Sequence, residues 1–196
     1  MRNILIISTL AIFLLNSCSE RNSESFQPKP KGFNRIDLPP HEYSLLKEVH
    51  PYIFEVSKAA IVQPDTFKKA EKHWIILYYP SIEARLQLTY KPVLNDPRRL
   101  QDLINDAYKL AEKHQVKATS EQTRLVKMRD GKMAALIELE GEVPSHFQFY
   151  TTDTTKNYLR GAVYLMHATK NDSLRPVVDY MKIEAMHLLE TLKWRK

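Results

Sequence analysis

Residues 123–129 (TRLVKMR), 132–140 (KMAALIELE), 147–151 (FQFYT) and 159–168 (LRGAVYLMHA) decide the fold of this chain. Each run is short, rich in β-branched or aromatic residues and bounded by turn formers, as strands are. Asp130–Gly131 joins the first two and is a hairpin signal, because glycine accepts the positive φ such a turn needs. In the second run Met133, Ala135, Ile137 and Leu139 alternate onto one face. Consecutive strands with short connections read as an antiparallel meander with one face buried.

Upstream, residues 52–56 (YIFEV) and 74–79 (WIILYY) have the same strand character. Over 84–91 the alternation is strict: Leu86, Leu88 and Tyr90 point one way, and Arg85, Gln87, Thr89 and Lys91 the other. Pro92 and Asn95–Asp96–Pro97 break that strand. Helical spacing follows over 98–114, where Leu100, Leu103, Ile104, Ala107, Leu110, Ala111 and His114 make one stripe. Asp96 is placed to cap it, with Pro97 in the first position, where its missing N–H costs nothing. A closing helix is expected over 174–193, with Val177, Met181, Ala185, Leu188 and Leu192 as its stripe. Asp172 or Ser173 would cap this helix and Pro176 would fall in its first turn. The expected fold class is α+β, an antiparallel β-sheet with helices packed on it, in a single domain over residues 33–196.

The N-terminus carries an address. Arg2 precedes the apolar run 4–15 (ILIISTLAIFLL), which is shorter than the roughly 20 residues of a membrane span and suits a signal-peptide core. Leu15–Asn16–Ser17–Cys18 then resembles the lipobox of bacterial lipoproteins, with Asn16 departing from the usual small residue. In that class the leader (here 1–17) is cut before the cysteine, whose sulfur carries diacylglycerol. Each buried CH₂ contributes about 0.8 kcal/mol, so two or three chains anchor stably. Residues 18–32 read as the lipid-bearing Cys18 plus a polar tether, reaching on the order of 40 Å when extended. The tether lacks a dense acidic run, which favours an anchor facing the periplasm.

Cys18 is the only cysteine among 196 residues. Intramolecular disulfides and cysteine zinc sites are therefore excluded, and the domain must be held by core packing. The formal charge is +6, and cleavage of the leader removes only Arg2, so the mature chain stays basic. That permits an anionic lipid, a polyanion or an acidic partner, and equally a solvated surface. The seven histidines show no zincin spacing, and the four glycines spell no phosphate loop or dinucleotide fingerprint. No nucleophile elbow is present. Glu138, Glu140 and Glu142 recur at strand period and read as a solvated outer face. No catalytic residue, metal or cofactor is expected. The candidate interaction surface is Arg85, Lys91, Arg98 and Arg99, interleaved with Tyr78, Tyr79 and Tyr90. An exported domain seldom meets nucleic acid, so a protein or lipid-headgroup contact is the functional reading of this face.

Four segments together resemble GldD, a gliding-motility lipoprotein family of Bacteroidetes. They are residues 28–39 (PKPKGFNRIDLP), 74–93 (ending LTYKPV), 100–118 (including AEKHQVKA) and 161–194 (ending SLRPVVDYMKIEAMHLLETLKW). The resemblance implies a non-enzymatic, lipid-anchored cell-envelope accessory of the gliding motility and type IX secretion machinery. It would act through contacts with other envelope proteins, at the outer membrane facing the periplasm. The alternative is a periplasmic ligand-binding lipoprotein using the basic strand face, its small-molecule ligand unknown. The order of elements also resembles the PsbP/Mog1-type α/β/α sandwich, at the level of fold only.

Overall fold

The alternating residues 84–91 form a strand inside the main sheet of the computed structural model, which describes residues 35–115, 117–166 and 171–195. The leader, Cys18, the tether, His167 and the side chains of Asp172 and Ser173 lie outside the described residues. In chain order the strands are β1 (Tyr43–Leu45), β2 (Tyr52–Ile53), β3 (Glu55–Ser57), β4 (Ile61–Pro64), β5 (Ile75–Tyr79) and β6 (Ala84–Pro92). Helix α1 (Pro97–Gln115) follows. Then come β7 (Ala118–Lys127), β8 (Met133–Gly141), β9 (Phe147–Thr152), β10 (Asn157–Leu165), helix α2 (Asn171–Thr191) and β11 (Lys193–Trp194).

A seven-stranded sheet runs β4-β5-β6-β10-β9-β8-β7, and every pairing in it is antiparallel. The meander is its β7–β10 half. Its last strand returns to pair with β6 along the whole length of both, Asn157 opposite Pro92 and Leu165 opposite Ala84. Gly161 permits this packing: a Cβ there would lie 2.2 Å from Cζ of Phe149, whose ring crosses the strand. Gly131, with φ 88°, makes the expected turn between β7 and β8.

The single domain has three layers. Helix α2 buries Val177, Met181, Ala185 and Leu188, with Leu192 just beyond it, against Leu77, Leu86, Leu88, Leu136, Phe149 and Leu159. On the opposite, outer face α1 packs across β7, β8, β9 and β10, with Ala111 beside Ile137 and Leu139. Asp96 caps α1 by accepting the N–H of Arg98 at 2.9 Å, and Pro97 opens the helix. This is the expected α+β arrangement, an antiparallel sheet with a helix on each side.

Several expectations are corrected. β8, β9 and β10 are buried on both faces, since Ala134 and Leu136 join the α2 core while Ala135, Ile137 and Leu139 lie on the α1 side, whereas the edge strand β7 is exposed along almost its whole length. Met133, at the strand end beyond α1, is exposed. Along the stripe of α1 only Ala107 and Ala111 are fully buried, Leu100, Leu103, Ile104 and His114 are half-buried, and Leu110 is exposed. Residues 52–56 do not form one strand. Phe54 is fully buried between β2, which pairs with β11, and β3, which pairs with β1. Pro176 lies inside α2 rather than in its first turn. Residue 193 belongs to β11 instead of to the helix. Glu138 is no solvated carboxylate: it bonds Lys182 of α2 at 2.6 Å and also pairs with Arg124.

Candidate functional site

The outer face has a half that α1 leaves open, and the register places a distinct set of side chains there. Ile61 of β4 lies opposite Tyr78 of β5, Tyr78 opposite Arg85 of β6, and Arg85 opposite Tyr164 of β10. Directly opposite residues share a face, so these four form one row across four strands. Ile61 is 50% exposed, while Tyr78, Arg85 and Tyr164 are half-buried. Arg85 has no carboxylate partner among the described residues. Its Nη2 meets Met166 Sδ at 3.1 Å, and its buried Nε has no hydrogen-bond acceptor. Beside the row lies an open cleft of about 410 Å³ rimmed by Asp65, Phe67, Ile76 and Gln87. Phe67 is 65% exposed. An arginine flanked by tyrosines, with apolar groups at the rim, is the composition of a protein-contact centre.

The four basic residues singled out from the sequence do not gather. Arg85 and Lys91 stand at opposite ends of β6, about 20 Å apart at the usual strand rise. Lys91 pairs with Glu71 and lies over the Trp74 ring, 4.9 Å from its centroid. Its charge is thus already matched. Arg99 donates from Nε to the carbonyl of Pro92 at 2.7 Å, and Arg98 is exposed at the start of α1. Of the interleaved tyrosines only Tyr78 shares the outer face. Tyr79 and Tyr90 are buried in the α2 core.

A second polar constellation escaped the sequence reading. Glu184 of α2 is only 3% exposed. Its Oε1 accepts from Tyr43 OH at 3.0 Å and from His41 Nδ1 at 2.6 Å, and its Oε2 accepts from Tyr79 OH at 3.0 Å. His41 stacks on Tyr180 with ring centroids 4.6 Å apart, and Tyr43 on His187 at 3.5 Å. His187 in turn meets Glu55 at 2.8 Å. Burial, reinforced by the Glu184 charge, pushes the phenols of Tyr43 and Tyr79 well above the ordinary tyrosine value. They are hydrogen-bond donors fixed in the neutral state. Since each Glu184 oxygen is satisfied, this buried carboxylate clamps β1, the first strand of the domain, to α2. Its sequence signal was present: Glu184 falls on the Val177, Met181, Leu188 stripe of α2, where an apolar residue is expected.

Among the described residues no group of three or more His, Cys, Asp or Glu side chains could hold a metal ion. No described helix is long and apolar enough to cross a membrane.

Fold and face together define a layered α+β domain that displays an open half-sheet, with a buried polar clamp behind it. The family model described as gliding motility lipoprotein GldD matches residues 23–194, and the chain belongs to that family. Membership implies lipid anchoring in the cell envelope. No curated protein matches significantly. A solved structure similar to this one is the solution structure of cyanobacterial PsbP (CyanoP) from Synechocystis sp. PCC 6803. Its TM-score is 0.47 at 11% identity, with 81% of this chain and 95% of that chain covered.

Proposed function

We propose that this gliding-motility lipoprotein is a non-enzymatic accessory of the motility and type IX secretion machinery, working through contacts with other envelope proteins. Cys18 carries the lipid, and the domain faces the periplasm from the outer membrane. The observation that carries the reading is the row Ile61–Tyr78–Arg85–Tyr164 on the open half-sheet. A half-buried arginine without a carboxylate partner, set between two tyrosines, is the kind of anchor that a complementary surface engages. Its partner is therefore expected to present an acidic group flanked by apolar surface.

The alternative, ligand binding on the basic strand face, loses its support once Lys91 is matched by Glu71 and Trp74. The test is a gene deletion in the native host, scored for surface spreading and for proteins released to the medium. Complementation would use the wild type, Cys18→Ala and Arg85→Glu. Rescue by wild type alone, with both variants present at normal levels, supports anchoring and the Arg85 contact. Normal spreading and secretion without the gene would refute the reading.

A further inference from the structure

At the opposite end of β6 from Arg85, five segments far apart in sequence enclose a second open cleft, of about 700 Å³. Its lining carries Lys72, Lys156 and Arg195 and no carboxylate. None of these three cations has an ion-pair partner among the described residues. His50 and His73 lie at the same cleft, with their Nδ1 atoms 3.2 Å apart. His50 is 8% exposed, and its buried Nε2 has no hydrogen-bond partner.

The walls are built and held. Tyr52 stacks on His50 at 5.1 Å and donates its hydroxyl to the carbonyl of His73 at 2.8 Å, fixing the turn that bears Lys72. Arg195 is brought in by β11, its N–H bonding the Pro51 carbonyl at 2.8 Å. Lys156 sits in the β9–β10 turn, where Asp153 Oδ1 accepts the N–H groups of Thr155, Lys156 and Asn157 at 3.0, 2.7 and 2.8 Å. Asp153 is engaged by these bonds and by Asn157 Nδ2, which donates to its Oδ2 at 2.6 Å; Glu71, next to Lys72, is paired with Lys91, and Glu48 is exposed to solvent.

We propose that this cleft binds a ligand bearing a phosphate monoester, held by Lys72, Lys156 and Arg195 with the His50–His73 pair behind it. A single carboxylate would leave most of the positive charge unmatched. A phosphate monoester brings a charge of about −1.5 to −2 and three acceptor oxygens. Arginine meets such a group with a bidentate fork, and lysines meet it as point charges. Val49 and Leu94, exposed on the cleft lining, suit an organic remainder on the phosphate. The site is distinct from the proposed protein-contact row, so either can fail without the other.

The experiment is titration calorimetry and vesicle flotation on the full mature chain carrying Cys18→Ala, so that the anchor does not drive binding. The probes are glycerol 1-phosphate in solution and phosphatidylcholine vesicles with or without phosphatidic acid, against acetate at matched ionic strength. Saturable binding to either phosphate probe is expected. It should weaken at least tenfold in Lys156→Glu/Arg195→Glu and no more than twofold in Lys109→Glu, whose charge lies on α1. His50→Gln, which keeps a side chain of similar size, should also weaken it. Binding in solution alone assigns a soluble phosphorylated ligand, and binding on vesicles alone assigns a lipid headgroup. No saturable binding to either probe, equal competition by acetate, or equal loss in Lys109→Glu would overturn the proposal.

Discussion

One register row runs across six strands of the outer face, from Gln63 through Ile76, Gln87, Ala162 and Gln148 to Ile137. At the meander end, under α1, Ala162, Gln148 and Ile137 are almost fully buried. At the β4–β6 end Gln63 is exposed, and Ile76 and Gln87 are half-exposed. The backbone is the same sheet throughout, so the difference lies in what covers it. The covered half has been closed by the chain's own helix. The open half keeps tyrosines, an arginine and apolar rim groups at the surface, where a sheet needing only solubility would carry mixed charge. Stability should therefore reside in the α2 core and the covered half, and recognition in the open half.

That division can be broken by substitution. Leu188→Ala, in the α2 core, should cost about 2–5 kcal/mol in denaturant unfolding through lost burial and a cavity. Glu184→Ala should cost about 2–4 kcal/mol, because Tyr43, Tyr79 and His41 lose a common acceptor in a buried site. Glu184→Gln, which keeps an acceptor oxygen, should cost less, and an equal loss would show that shape rather than donor satisfaction matters. Gly161→Val should cost about 1–3 kcal/mol by forcing the Phe149 ring aside. If Gly161→Val proved neutral, the close approach of β10 and β9 would be wrong.

Acid should act in two stages. Burial, foremost, holds His50, His73 and His114 below the ordinary 6.5. The unfolded chain then binds more protons than the folded one below 6.5, so stability falls as pH drops through that window. For Glu138, burial pushes the carboxyl up, but Lys182 and Arg124 outweigh it and hold the group below the ordinary 4.5. Asp153, where burial is outweighed by the N–H groups of Asn157 and Lys156, is held below the ordinary 3.8. Their stabilisation is present above the unfolded carboxylate values and is lost as pH falls through the folded ones. Thermal midpoints followed downward from about pH 8 should show both steps. A midpoint independent of pH down to the carboxylate range would contradict the histidine assignment. The smallest stability effect is expected on the open half, where Arg85→Glu should change unfolding by no more than about 1 kcal/mol.

What was legible in the sequence was local. Alternation along β6, the Asp130–Gly131 turn, the Asp96–Pro97 helix start and the α2 stripe are all short-range patterns, and each reappears in the structure. The β10–β6 pairing was not legible, because it joins residues separated by a helix and three strands. Glu184 was passed over because a carboxylate on an apolar stripe is recognised only when its partners, Tyr43 and Tyr79, are brought to it. Arg85, Lys91, Arg98 and Arg99 were grouped because they lie close together in the sequence, interleaved with tyrosines. Parity places Arg85 and Lys91 on the same side of β6, but it says nothing of Glu71 and Trp74, which arrive from a neighbouring loop.

The most direct test is site-specific photo-crosslinking in native envelopes, comparing a probe at position 87 on the open half-sheet with one at position 109 on the exposed side of α1. A specific motility or secretion component captured from position 87, absent from position 109 and lost in Arg85→Glu, is the predicted result. The same capture from both positions, or none from position 87 in a strain that spreads and secretes normally, would contradict the assignment of recognition to the open half.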